Sequence, residues 1–125
     1  FLQLSMTTQK LRTRNKLKGY VFKFVGNNFN DFFKKHLPFE LTNAQKKVVK
    51  EIRKDLGSGV HMNRLLQGDV GSGKTLVAVL TILLSVDNEF QSCLMAPTEI
   101  LANQHYKSII NFLEPLGIKV SLLTS

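Results

Sequence analysis

The sequence predicts an α/β fold in which short strands alternate with helices and pair into a parallel sheet. Strand candidates at residues 63–67, 92–96 and 118–123 are apolar and are separated by helical patterns, one of them over residues 99 to about 113. Such alternation is typical of parallel strands joined by right-handed crossovers. A glycine-rich stretch, residues 68–75, separates the first strand from its helix.

This glycine-rich stretch reads Gly-Asp-Val-Gly-Ser-Gly-Lys-Thr and satisfies the pattern G-x-x-x-x-G-K-[S/T] at every fixed position. Gly71 and Gly73 allow the backbone to bend so that successive N–H groups converge on phosphate oxygens. Lys74 would place a charge on the β and γ phosphates, and the Thr75 hydroxyl would complete a magnesium shell. The stretch therefore predicts a nucleoside triphosphate site, the alternative being a glycine-rich turn without a ligand.

A capping pattern predicts where the helix before this loop begins. Thr42 and Gln45 have the spacing of a capping box, which starts a helix that runs to about Leu56. The Gly-Ser-Gly run at residues 57–59 stops that helix. We expect its buried stripe to consist of Val48, Val49 and Ile52.

The N-terminal segment has a different character from the rest of the chain. Residues 1–18 are basic and look helical, and the aromatic stretch at residues 20–26 is predicted to be extended. Asn28 is a candidate N-cap for a short helix that runs through His36. Pro38 interrupts this segment, and we place a domain boundary there.

The positive charge is concentrated in the first half of the chain. Residues 1–60 hold 13 of the 17 Lys and Arg residues but only four of the nine acids. Such a surface attracts a polyanion through counterion release, and nucleic acid is the usual polyanion. A solvated helix face is the alternative. The cations that begin this half are Lys10, Arg12, Arg14, Lys16, Lys18, Lys23, Lys34 and Lys35.

Six of the nine phenylalanines lie between Phe22 and Phe39, interleaved with lysines. This mixture is compatible with stacking of nucleic-acid bases on the rings. The alternative, which we favour, is that the rings attach this segment to a neighbouring domain.

Composition limits the classes of protein to which the chain can belong. With 125 residues, 43% of them hydrophobic, it can form one modest core. No apolar run reaches the roughly 18 residues of a membrane span, and no signal peptide is recognisable. The single cysteine, Cys93, excludes an internal disulfide framework and suits a reducing cytosol. It lies in a strand candidate, so we expect a buried core residue rather than a reactive thiol.

Three stretches of the sequence resemble the bacterial RecG DNA helicase family. They are Gln-Gly-Asp-Val-Gly-Ser-Gly-Lys-Thr at 67–75, Met-Ala-Pro-Thr-Glu-Ile-Leu-Ala-Asn-Gln-His at 95–105, and Leu-Pro-Phe-Glu-Leu-Thr-Asn-Ala-Gln at 37–45. The match extends over residues 37–125. The closely related transcription-repair coupling translocases usually have a bulky aromatic where Ser72 stands, so the RecG family is preferred.

The resemblance implies a partial RecA-like P-loop NTPase domain with parallel strands and flanking helices. Residues 38–125 would form the N-terminal part of the first helicase motor domain, and residues 1–37 a basic helical connector from a preceding wedge domain. The implied activity is ATP-dependent, magnesium-dependent remodelling of branched DNA such as forks and Holliday junctions, in a bacterial cytoplasm close to the nucleoid. The implied partners are DNA, ATP and the remainder of the helicase chain, with no membrane.

The resemblance also assigns roles to individual residues. Lys74 and Thr75 would be catalytic, with Thr75 reaching Mg²⁺ through ATP. Gln45 would read adenine, although a capping box alone also explains it, and Phe39 would stack on the base. The DNA backbone would be gripped by Pro97, Thr98 and Glu99, with Thr98 also well placed as a helix N-cap. The full set expected to bind nucleotide is Gln45, Gly68, Asp69, Val70, Gly71, Ser72, Gly73, Lys74 and Thr75.

A helicase motor also needs an acidic motif at the end of an apolar strand. Residues 83–89 superficially resemble such an acidic motif. They follow directly from the phosphate-loop helix, however, so we expect Asp87 to end that helix. The chain is therefore expected to be a fragment that is inactive alone and retains an open sheet edge. Two alternatives remain: a non-catalytic nucleic-acid-binding module with a vestigial nucleotide site, and an unrelated phosphate-loop enzyme such as a kinase.

Overall fold

A computed structural model describes residues 18–23 and 25–125 of the chain. The helix predicted over residues 1–18 falls outside the described residues, apart from Lys18. The helices are α1 (Asn27–Asp31), which continues as a π-helical segment (Phe32–His36), α2 (Asn43–Leu56), α3 (Lys74–Asp87) and α4 (Glu99–Leu113), which continues as a short 3-10 helix (Glu114–Leu116).

Helix α3 is the central element of the core. It has no charged residue between Lys74 and Asp87, so it is apolar on all sides and must be covered on several of them. Helices α1 and α2 both pack against it. Its two internal hydroxyls are satisfied within the helix: Thr81 donates to the carbonyl of Val77, and Ser85 to that of Thr81. The buried residues of α3 are Leu76, Val77, Val79, Leu80, Leu83 and Leu84.

Helix α2 begins and ends where the sequence predicts. The Thr42 hydroxyl accepts from the backbone N–H of Gln45 at 3.2 Å, and the Gln45 side chain accepts from the N–H of Thr42 at 2.9 Å. The predicted capping box is therefore confirmed. Val49 and Ile52 are buried against α3, and Gly57 ends the helix.

Helices α2 and α3 run in the same direction. At their N-terminal ends, Gln45 of α2 contacts Ser72, which lies just before α3. At their C-terminal ends, Leu56 of α2 and Leu84 of α3 line one groove. The pair thus has one end at the phosphate loop and the other about 20 Å away, the length of a 14-residue helix.

The start of helix α1 differs from the prediction. The helix begins at Asn27 with Gly26 as its N-cap, and no side chain within α1 caps it, so the assignment of Asn28 as the cap is wrong. The carboxylate of Asp87, at the end of α3, accepts hydrogen bonds from the first amides instead. Sequence spacing could not reveal this cap because its donor and acceptor are about 60 residues apart. The predicted end at His36 is confirmed.

Two aromatic residues of the N-terminal segment pack onto later parts of the chain, which supports the packing interpretation, and the domain boundary at Pro38 stays a prediction. Phe32 is fully buried and meets Phe112 of α4 edge to face, with ring centroids 5.7 Å apart. Phe22 stacks on Phe90 at 5.0 Å. Phe39 is different, since 56% of its surface is exposed.

Helix α4 also has the predicted bounds. The Thr98 hydroxyl accepts from the N–H of Leu101 at 3.2 Å, which confirms Thr98 as the N-cap. The α-helix stops at Leu113, as predicted, and Gly117, which ends the following 3-10 turn, adopts a left-handed φ of 72°. No helix in the described part of the chain is long and apolar enough to cross a membrane.

Strand pairing is the part of the prediction that is not seen. Residues 18–23 and 25–125 contain no β-ladder, and their one isolated bridge joins Lys18 to Val60. Residues 92–96 therefore have no covering neighbour on the described chain. Cys93, expected to be a buried core residue, is exposed for this reason, and that prediction is wrong.

Candidate nucleotide-binding site

The phosphate loop connects residues 61–67, which have no regular secondary structure, to the first turn of α3. Gly71 and Gly73 both have a left-handed φ of 81°, and Gly73 is the N-cap of α3. The N–H of Ser72 donates to the carbonyl of Asp69 at 3.1 Å, which closes a tight turn across the tip of the loop. The sequence prediction of a bent, glycine-dependent loop leading into a helix is confirmed.

The ends of other side chains approach two of the loop glycines closely. A Cβ on Gly73 would collide with the side-chain amide nitrogen of Gln45. A Cβ on Gly68 would lie 2.6 Å from the Ser72 hydroxyl oxygen. The loop is therefore a backbone cradle that side chains would fill, which is the form that a triphosphate requires.

The Lys74 ammonium group folds back over this cradle. Nζ donates to the carbonyl oxygen of Gly68 and, at 2.8 Å, to that of Asp69. Phosphate oxygens could replace these two carbonyl acceptors without a change in the position of the helix that carries Lys74. The contact places the charge of Lys74 at the loop, as predicted.

Thr75 follows Lys74 in the first turn of α3 and is half-buried. The N–H groups of Leu76 and Val77 both donate to the carbonyl of Gly73, at 3.1 and 3.3 Å, so the helix begins regularly at this end. The positive end of the helix dipole thus lies at the loop. No group of three or more His, Cys, Asp or Glu residues suited to a metal ion occurs among the described residues.

Gln45 connects α2 to the phosphate loop. Its Oε1 completes the capping box, and its Nε2 donates to the carbonyl of Ser72 at 2.9 Å. The side chain is buried, and both of its polar ends have protein partners. The capping role is thus confirmed, and the adenine contact stays a prediction.

Arg64 is a structural residue that the sequence analysis missed. Its guanidinium group lies 2.7 Å from carboxylate oxygens of both Glu51 and Asp55, one turn apart on α2. The hydrogen bond to Asp55 raises the pKa of Arg64 above its ordinary value. These contacts hold the segment before the phosphate loop against α2. The i, i+4 spacing of Glu51 and Asp55 is visible in the sequence, but nothing in the sequence indicates that Arg64 pairs with them.

The residues expected to bind DNA lie at the start of α4. Pro97, Thr98 and Glu99 are all exposed. In the described part of the chain, no hydrogen bond joins them to the phosphate loop. Asp69 and Val70, at the tip of the phosphate loop, are exposed as well.

Comparison with known proteins supports the interpretation of the loop. The chain is 58% identical over 88 residues to the ATP-dependent DNA helicase RecG of Aquifex aeolicus, which covers 70% of this chain and 11% of that protein. It is 45% identical over 123 residues to RecG of Bacillus subtilis, covering 98% of this chain and 18% of that protein. The resemblance to RecG is confirmed, and the chain spans less than a fifth of the length of these relatives.

A solved structure of RecG bound to a three-way DNA junction matches 91% of this chain and 15% of that one, with a TM-score of 0.67 and 43% identity. The sequence profile described as DEAD/DEAH box helicase matches residues 42–125. Together they imply a RecA-like fold. Because this profile covers more than half of the sequence, including the phosphate loop and α4, the chain belongs to the DEAD/DEAH box helicase family.

Proposed function

We propose that this chain forms part of the motor of an ATP-dependent DNA helicase that remodels branched DNA, such as replication forks and Holliday junctions, in recombination and repair. The observation that carries the proposal is the phosphate loop, in which left-handed Gly71 and Gly73 form a cradle covered by the Lys74 ammonium group. The similarity to RecG proteins supports branched DNA as the substrate.

In the proposed reaction, ATP binds with its phosphates on the amides of residues 68–73. Lys74 moves from the loop carbonyls to the β and γ phosphates and stabilises the charge that develops on transfer to water. The Thr75 hydroxyl would hold Mg²⁺, which would neutralise phosphate charge. Lys74 and Thr75 are therefore the catalytic residues that this chain supplies.

The base of the nucleotide would be recognised beside α2. Phe39 presents an exposed ring, and we place the adenine against it. Gln45 would contact the base edge through its amide, which requires Nε2 to leave the carbonyl of Ser72. A preference for ATP over GTP that Gln45→Ala abolishes would support this assignment.

DNA would be gripped at the start of α4. The amides and the hydroxyl at Pro97, Thr98 and Glu99 lie at a helix N-terminus, where a backbone phosphate is favoured. Thr98 can cap the helix and face a phosphate in the same conformation. The acidic Glu99 would be positioned beside the phosphate rather than bound to it.

We assign residues 38–125 to the first motor domain and residues 1–37 to a connector that enters it. Within the motor, residues 63–67, 92–96 and 118–123 would be strands of a parallel sheet. Leu65, Met95 and Leu123, one in each segment, are 79%, 87% and 92% exposed, which supports the need for neighbouring strands to cover them. The protein would act in the bacterial cytoplasm, on nucleoid DNA.

The test is Lys74→Ala in the full-length protein, with the exposed Lys119→Ala as a control that makes the same charge change. DNA-stimulated ATP hydrolysis should fall by about 100-fold or more in the first variant and be unaffected in the second. If Lys74→Ala retains both fork remodelling and hydrolysis, the chain is instead a binding module with a vestigial nucleotide site. The 125-residue chain alone should bind nucleotide weakly and show negligible turnover.

A further inference from the structure

A cationic groove lies at the end of the α2–α3 pair that is remote from the phosphate loop. Its volume is about 320 Å³. Phe22 and Leu84 contribute apolar surface to it. Its charged lining consists of Lys23, from the N-terminal segment, and Lys50, Arg53 and Lys54, from α2, with no carboxylate. Its lining residues on α2 run from Lys50 to Leu56, about 8 to 16 Å along the helix axis from Gln45, and none of them belongs to the phosphate loop.

The charges on α2 are segregated by face. Lys50, Arg53 and Lys54 have i, i+3 and i+4 spacing and share one side of the helix. The acids Glu51 and Asp55 do not line the groove, and both pair with Arg64 instead. Across the part of the chain that the structure describes, no ion pair includes a cation of the groove. Four like charges therefore line one cavity without a carboxylate among them.

The chemistry of the groove favours a polyanionic backbone rather than a nucleobase. Phe22 is already stacked on Phe90, with planes 18° apart, so its ring is occupied by a protein neighbour. The remaining polar groups are cations, which contact phosphates without reading sequence. The cations come from two segments of the chain, since Lys23 belongs to the N-terminal segment and the other three belong to α2. A nucleic-acid strand that lies in the groove could therefore contact cations through several consecutive phosphates.

We propose that this groove is a second DNA contact, which binds backbone phosphates independently of sequence and apart from the contact at the start of α4. The inference rests on the proposed function for the identity of its polyanion. Each lysine that meets a phosphate releases condensed counterions, so the groove should contribute measurably to the salt dependence of DNA binding. The groove would hold an arm of the branched substrate against the connector.

The experiment measures binding of the full-length protein to a fluorescein-labelled three-way DNA junction by anisotropy, between about 50 and 200 mM salt. The groove variant is Lys50→Gln with Lys54→Gln. Its matched control is Lys46→Gln with Lys47→Gln, which removes two exposed lysines from the same helix outside the groove. Without nucleotide in the assay, catalysis does not enter the result.

The groove variant should lower the slope of log K against log salt by about two and weaken binding roughly tenfold at low salt, equally for different DNA sequences. The control should match the wild type, and replacement of Lys50 and Lys54 by Arg should preserve binding. Lys23→Gln, on the non-helical wall, should lower the slope by about one. If the Lys50→Gln, Lys54→Gln variant melts at a lower temperature than the wild type, its loss of DNA binding could come from instability. The Lys23→Gln variant then tests the proposal in its place.

Equal losses of DNA affinity in the groove variant and the control would overturn the proposal. They would show that the positive charge of the whole surface attracts DNA, rather than the groove. An unchanged slope in both the groove variant and Lys23→Gln would also overturn it. So would a groove variant that loses affinity for polyglutamate but not for DNA, since the partner would then be an acidic protein. Failure of the proposed function is seen separately, as ATP hydrolysis that survives Lys74→Ala.

Discussion

The carboxylate of Asp87 accepts a hydrogen bond from the backbone N–H of Phe29 at 3.0 Å, across 58 residues of sequence. The same carboxylate accepts from the amides of Gly26 and Asn28 at 3.1 and 3.2 Å. Helix α1 has only five residues and could not persist without tertiary support. The last residue of the phosphate-loop helix thus provides the N-terminal cap of another helix.

Removal of this cap should destabilise the chain. We expect Asp87→Ala to lower the free energy of unfolding by about 1–2 kcal/mol, because three amides lose an anionic acceptor at a helix N-terminus. Asp87→Asn, which keeps one acceptor oxygen without the charge, should cost less. Urea unfolding measures both. The exposed Glu40→Gln is the control and should be neutral; an equal loss there would refute the capping role.

Gly71 and Gly73 have the same backbone angle but different surroundings, so they form a matched pair. Gly71→Ala should cost about 1–2 kcal/mol, since a side chain in the left-handed region is strained but nothing lies within 4 Å of its Cβ. Gly73→Ala should cost more because its Cβ also meets Gln45. Thermal unfolding provides the comparison. If the clash matters, Gln45→Ala should recover part of the loss in a double-mutant cycle.

Gln45→Glu separates the two contacts of this side chain. A carboxylate can still accept from the N–H of Thr42, so the cap of α2 should survive. It cannot donate to the carbonyl of Ser72, so about 0.5–1.5 kcal/mol of support for the loop should be lost. Hydrogen exchange should then accelerate at residues 68–73 and not in the first turn of α2. Faster exchange in both regions would indicate that the cap was lost as well.

The cap of α4 can be tested apart from DNA binding. Thr98→Ala should lower the free energy of unfolding by about 1 kcal/mol, because the N–H of Leu101 loses its acceptor. Thr98→Ser keeps the hydroxyl and should restore most of that loss. Measurement of the 125-residue chain without DNA isolates the effect. Equal stability of the Ala and Ser variants would exclude a capping contribution.

Helices were predictable from the sequence where their signals are local. The starts of α2 and α4 followed from hydroxyl caps at Thr42 and Thr98, and the end of α2 followed from Gly57. The bend of the phosphate loop was predictable for the same reason, since glycine spacing is a local property. The cap of α1 was not, because its acceptor, Asp87, comes from another element.

Strand pairing was the least predictable feature. An apolar run such as residues 92–96 indicates a strand only if a neighbour covers it, and β-structure depends on that context more than helix does. In the described residues the run has no ladder partner, so Cys93 is exposed. The bent loop at residues 68–75 was predictable from its glycine pattern alone, but the contacts of Gln45 and Arg64 that support it required the packed structure.

Helix α2 holds the chain at two points, through Arg64 before the phosphate loop and through Ser72 within it. The two anchors on α2 are fixed by the pitch of one rigid helix, so the span of backbone between them has a set length. An inserted or deleted residue between Arg64 and Ser72 would break one of the two contacts with α2 or change the curvature of the loop. Spacing within this span is therefore constrained by geometry even at positions, such as Val70, whose side chains contact only solvent.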